Sequence, residues 1–249
     1  MNSGGVVSVH AIGGMAGIGK TTLAVHAAHL LADRFPDGQF FLPLHAHTPG
    51  QRPVDPADAL ASLLLTAGVP ASQIPPGVDA RAARWRGHVA GKKILLVLDD
   101  AAGHEQVRPL LPGSPGSLVL VTSRRRLAAL EDAAVVSLDA LAPGEAAGLL
   151  ARLAGRAHVP VGDSAVGELV ALCGYLPLAV GMAGRQLEEA RALEGIGHSH
   201  LCDGHASEAV GCLEQALAIY RRIAAPAARR VQETLLQFRQ DNLAPPPER

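Results

Sequence analysis

Short, continuous apolar runs alternate along this chain with longer segments whose apolar residues recur every three or four positions. Val6 to Ile12 is short and β-branched and leads at once into a Gly-rich turn, which predicts a strand. Thr21 to Leu31 then places Leu23, Ala24, Ala27, Ala28 and Leu31 at helical spacing. Past the turn Phe35-Pro36-Asp37-Gly38, a second strand is expected over Gln39 to Leu44. A Pro-rich loop, Pro49 to Pro56, opens into a helix reaching about Ala67. Another loop, with Pro70, Pro75 and Pro76, precedes a helix around Asp79 to Val89. Ile94 to Leu98 and Leu118 to Val121 are apolar without interruption, the pattern of strands buried on both faces of a parallel sheet. Val135 to Leu138 is expected as the last strand. Strands alternating with helices in this way predict a doubly wound α/β sheet over residues 1–140.

From Pro143 the pattern is helical. Pro143 followed by Glu145 suits a helix start, and further helices are expected over Ser164 to Cys173 and Leu176 to Ala190. These form a small helical domain, 141–189. Residues 190–236 predict a helical hairpin turning near Asp203-Gly204, and 237–249, ending in Ala244-Pro245-Pro246-Pro247-Glu248-Arg249, a disordered tail.

Composition narrows the classes. At 249 residues, with 48% hydrophobic and 18% charged residues, the chain is globular, and 3% aromatics leave Ala, Val and Leu to build the core. A net charge of −1 implies neither a nucleic-acid surface nor an anionic-membrane surface. Cys173, Cys202 and Cys212 outline no disulfide framework. The first residues lack the charge and apolar run of a signal peptide, and no apolar run is long enough to span a bilayer, so a cytoplasmic location is expected.

The chemistry concentrates at Gly14-Met15-Ala16-Gly17-Ile18-Gly19-Lys20-Thr21, which matches G-x-x-x-x-G-K-[ST] between a predicted strand and a predicted helix. Its glycines let backbone N–H groups converge on phosphate oxygens, and the helix N-terminus, continuing into Thr22, adds positive dipole. Lys20, one of only three lysines, is expected on the β- and γ-phosphates and the Thr21 hydroxyl on Mg²⁺. Leu95 to Asp100 is an apolar strand ending in two carboxylates. Asp99, expected to end a strand neighbouring the P-loop strand, would hold Mg²⁺ through water, and Asp100 would orient an attacking water. Arg124, closing a third core strand, is placed to contact a γ-phosphate, whereas Arg125 and Arg126 read as a solvated helix start.

These elements, followed in order by Cys173-Gly174-Tyr175-Leu176-Pro177-Leu178-Ala179, resemble the NB-ARC module of STAND signalling ATPases, and most closely the versions in actinobacterial regulators. Phe35 to Gln39 and Gln106 to Gly113 look like that bacterial subgroup, and the resemblance covers about residues 6 to 188. It implies an ATP/ADP-binding switch with weak or no steady ATPase activity, with Pro177 packing on adenine and the possibility of nucleotide-dependent self-association. Residues 190 to 223 resemble one tetratricopeptide repeat, with Leu193, Ile196, Gly197, Gly204, Ala209, Leu213 and Ala216 at its small and apolar positions. That region is expected to engage a protein partner.

The chain departs from the family after Leu187, where a winged-helix domain with its sensor histidine is missing, and it reads as a shortened member with no DNA-binding segment before the P-loop. Two other classes stay open: a repeat-based interaction scaffold with a structural nucleotide, and a P-loop kinase or active NTPase. His198, Cys202 and His205 fall at i, i+4, i+7, but Gly204 is expected to end that helix, so no zinc site is assigned. His45 and His47 are expected to need no function, and Trp85 to be a packing residue.

Overall fold

The computed structural model describes residues 7–125, 127, 130, 133–155 and 163–243. Val6, Arg126 and the tail 244–249 lie outside the described residues. The chain divides into two units, 1–139 and 140–249.

In the first unit the apolar runs become strands β1 (Ser8–Gly13), β2 (Gln39–Pro43), β3 (Leu95–Ala101), β4 (Leu118–Ser123) and β5 (Ala134–Ser137). All pair in parallel, in the order β2-β3-β4-β1-β5. Between them lie α1 (Lys20–Leu31), α2 (Pro56–Thr66), α3 (Val78–His88) and the short α4 (His104–Val107), which the apolar pattern does not predict. Alternation along each strand sorts side chains to two faces. Ile12, Leu95, Val97, Leu118 and Leu120 pack with Ala24 of α1 on one face. Val9, Ala11, Leu96, Leu98, Val119 and Val121 pack with α2 and α3 on the other. Helices on both faces make the sheet doubly wound, as expected.

One expectation is corrected by the strand order. β4 lies between β1 and β3, so Asp99 ends a strand two removed from the P-loop strand rather than beside it. Trp85 is fully buried, donates its indole N–H to Leu110 O at 3.0 Å and meets the Phe40 ring edge-on. It is a packing residue with its polar atom satisfied.

The second unit contains α5 (Pro143–Leu153), α6 (Ser164–Leu172), α7 (Pro177–Cys202), α8 (Ala206–Arg222) and α9 (Ala227–Leu243). Glu145 accepts the Ala142 N–H at 3.0 Å, which fixes the start of α5. Helix α7 runs 26 residues without a break. Its first half shares a core with α5 and α6 through Val180 and Ala183, and its second half shares another with α8 and α9 through Ala190. The boundary expected at 189/190 therefore falls inside one helix, because no Gly or Pro interrupts the periodicity there. Helix α9 also runs through 237–243, which the Pro-rich end of the chain had marked as disordered.

Two contacts hold the last three helices together. Gly197 of α7 lets Leu213 of α8 approach so closely that a Cβ would sit 2.8 Å from Leu213 Cγ. Buried Glu194 of α7 accepts the Tyr220 hydroxyl of α8 at 2.8 Å and three bonds from the Arg230 guanidinium of α9, at 2.9, 3.0 and 3.2 Å. Burial, followed by the Glu194 contact, pushes the Tyr220 hydroxyl up to about 12. Among the described residues, no helix is long and apolar enough to cross a membrane.

The close approach at Gly197 makes a signed prediction. Gly197→Ala is expected to lower the thermal midpoint, because overpacking of about 1–3 kcal/mol outweighs a helix-propensity gain of about 1 kcal/mol. Gly211→Ala, with open space around its Cβ, should raise it. Calorimetry of both variants checks the difference.

Candidate nucleotide-binding site

β1 ends at Gly13 and the chain turns through Gly14 to Gly19 before α1 begins at Lys20. Gly14, Gly17 and Gly19 of that turn all take positive φ. At Gly14 φ is 148° and a Cβ would stand 2.8 Å from Leu138 O and 3.1 Å from Ile18 Cγ2. At Gly19, which caps α1, φ is 96°. Ile18 is buried and anchors the loop, leaving Met15 exposed. No side chain caps α1, so its first amides, around Lys20, Thr21 and Thr22, are free to meet an anion.

Lys20 Nζ donates to Gly14 O and Met15 O, each at 2.8 Å, and so closes over the loop. Its pKa is lowered, first by burial and then by the charge of Arg124, while Asp100 and Asp99 oppose the shift. Arg124, Asp100 and Asp99 are thus all within electrostatic reach of Lys20. Thr21 Oγ1 donates to Asp99 Oδ1 at 2.7 Å, across 78 residues of sequence, and Thr122 Oγ1 donates to the same oxygen at 2.6 Å.

A bulge makes this arrangement possible. Leu98 pairs with Val121 but Ala101 with Ser123, so Asp99 and Asp100 together oppose Thr122 alone. Asp99 keeps the parity of Leu95 and Val97 and faces α1. Asp100 takes φ 55° and donates its N–H to Thr122 Oγ1 at 2.9 Å. Its carboxylate is held by the loop after β2: Oδ2 accepts His47 N–H at 2.8 Å and Oδ1 lies 2.9 Å from His47 Nδ1. Burial alone would raise the Asp100 pKa. The two His47 hydrogen bonds and the nearby Arg124 charge outweigh it and hold the carboxyl below its usual range.

The structure gathers Lys20, Thr21, Asp99, Asp100 and Arg124 at the carboxyl ends of the strands. Arg124 is exposed just past β4, and the Arg125 N–H donates to Ser123 Oγ at 3.0 Å. Pro177 opens α7 in the second unit, following a turn with Gly174 and Tyr175 at φ 59° and 56°. Two participants were missed. Thr122 could have been found as the polar residue that closes an apolar run on the α1 face. His47, expected to need no function, holds Asp100, and no periodicity in its loop signals that.

No family model matches the chain. The regulatory protein AfsR of Streptomyces griseus is 44% identical over 188 residues, covering 76% of this chain and 19% of that protein. AfsR of Streptomyces coelicolor is 42% identical over 189 residues, with the same coverage of each. The chain spans about a fifth of the length of these relatives. Among solved structures, Drosophila ORC bound to DNA superposes with a TM-score of 0.55 at 12% identity, covering 94% of this chain and 63% of that one. The fold is that of the P-loop NTPases. A STAND protein with a tetratricopeptide repeat sensor from Pyrococcus horikoshii gives a TM-score of 0.45 at 21% identity, covering 74% of this chain and 28% of that one.

Thr122 joins both carboxylate residues of this P-loop fold, so Thr122→Val removes one donor and one acceptor at once. The variant is expected to lose about 1–3 kcal/mol of stability, and Thr122→Ser most of that loss less. Denaturant titration of the two variants checks it.

Proposed function

We propose that the chain carries a STAND-type NB-ARC switch module of a regulatory protein, which binds ATP or ADP with Mg²⁺ and hydrolyses ATP slowly or not at all. The observation that carries it is the 2.7 Å hydrogen bond between Thr21, next to the P-loop lysine, and Asp99, at the end of β3. It brings a hydroxyl and a carboxylate oxygen together beside free helix amides, and that donor set suits Mg²⁺ on a phosphate chain. Gly14, where a Cβ would collide with Leu138 O, lets the loop pack tightly on the strand end, and Gly19, with open space around its Cβ position, leaves the start of α1 uncrowded for a phosphate. The extent of similarity to the AfsR proteins supports the regulatory setting.

The backbone from Gly14 to Thr22 wraps the phosphates, with Met15, Ala16, Gly17, Ile18 and Gly19 forming the turn. Lys20 leaves the loop carbonyls for the β- and γ-phosphates. Thr21 and, through water, Asp99 would hold Mg²⁺, which would supply neutralisation of phosphate charge. Arg124 contacts the γ-phosphate and so distinguishes ATP from ADP, and Asp100 is the water-orienting carboxylate. Pro177, at the start of α7 in the second unit, is the residue that the NB-ARC resemblance assigns to adenine. Residues 190–223, in α7 and α8, resemble one tetratricopeptide repeat and present the surface for a protein partner, and self-association follows the nucleotide state.

A second reading is favoured by the Glu194 network, which fixes α7, α8 and α9 to one another independently of any nucleotide. In it the helices act as a scaffold, and partner binding is indifferent to ADP versus ATP. Titration of the full chain with MgATP and MgADP tests the first reading. Lys20→Ala is expected to weaken both by at least about tenfold, or 1.4 kcal/mol; an unchanged affinity contradicts the P-loop role. Arg124→Ala is expected to bring the ATP and ADP affinities closer together, and an unaltered ratio removes its sensing role.

A further inference from the structure

The carboxylate cast as the water-orienting group is already engaged by the protein. Both Asp100 oxygens receive donors from one residue, His47, through its backbone N–H at 2.8 Å and its ring at 2.9 Å. A carboxylate only accepts, so His47 carries its proton on Nδ1 in this contact. The Asp100 backbone is fixed as well, at φ 55° with its N–H on Thr122 Oγ1. A non-glycine residue keeps that conformation where its surroundings over-determine it.

The direction of the clamp matters. Asp99 faces α1 and meets Thr21, whereas His47 lies in the loop between β2 and α2, on the other side of β3 from β4 and β1. The two neighbouring carboxylates are therefore drawn apart. To take a proton from water, a carboxylate must reach that water at about 2.6–3.2 Å with a free lone pair. His47 takes one lone pair on each Asp100 oxygen, leaving the other, and by donating to both oxygens from the loop after β2 it fixes the direction in which the group points.

We propose that His47 is a positioning residue that withholds Asp100 from the attacking water and so keeps ATP hydrolysis slow. This rests on the nucleotide-binding reading above. In the restrained step, the water oxygen bonds to the γ-phosphorus and the bond from that phosphorus to the ADP oxygen breaks. The water proton passes to Asp100 and then to the released phosphate.

Single-turnover hydrolysis and MgATP affinity, measured on the full chain, test the proposal. His47→Ala and His47→Phe both remove the ring donor, the second while filling its space. Each is expected to raise the hydrolysis rate by about fivefold or more, with affinity changed less than about twofold. His47→Asn, which places an amide donor near Nδ1, should restore most of the restraint. Adding Asp100→Asn to His47→Ala should abolish the gain. Variants that bind MgATP but hydrolyse it no faster than the parent overturn the clamp and leave the nucleotide reading standing. A gain that survives Asp100→Asn overturns it too. A parent protein that binds no MgATP overturns both.

Discussion

Asp99 and Asp100 share a bulge with a single opposing residue, Thr122, and the arrangement of the site depends on it. A regular strand would send successive side chains to opposite faces at fixed spacing. Asp99 keeps that alternation and stays on the α1 face, where Thr21 and Thr122 both donate to one of its oxygens, and the extra residue brings Asp100 opposite Thr122 as well. Asp100 meanwhile turns through a left-handed conformation toward His47. Thr122 serves both, as donor to one residue's side chain and acceptor for the other's N–H. The bulge thus joins the P-loop helix, the two central strands and the loop after β2 through a chain of hydrogen bonds, with β4 in its middle.

Much of this was legible beforehand for physical reasons. The apolar runs of β3 and β4 can only be strands covered on both faces, and both are covered. The spacing of Gly14, Gly19 and Lys20 predicts a glycine-dependent turn between a strand and a helix, and the turn from Gly14 to Gly19 runs from the end of β1 to the start of α1. The strand order was not legible, because apolar runs carry no information on which strand lies beside which. The assumption that Asp99 sits next to β1 failed for that reason. Thr122 and His47 escaped because their roles come from partners far away in sequence, 23 and 53 residues off.

In the second unit, local signals and tertiary packing diverged. A repeat-like pattern near Ala190 pointed to a new element, but one helix serves two cores there, since its buried residues continue in phase from Val180 to Ala190 and Gly197. Helix α9 draws its place from Val231 and Leu235 in the second core and from Arg230 on Glu194, none of which a proline-rich ending reveals. A switch requires the γ-phosphate to make contacts that ADP cannot. The groups proposed for such contacts, Lys20 and Arg124, stand within electrostatic reach of each other in the first unit.

The most direct test of the central claim is to denature freshly purified protein and identify any released nucleotide by chromatography. Near-stoichiometric ADP is the result expected of a P-loop that closes on an adenine nucleotide. Protein that releases none, and that also fails to bind added ATP or ADP with Mg²⁺, would contradict the account.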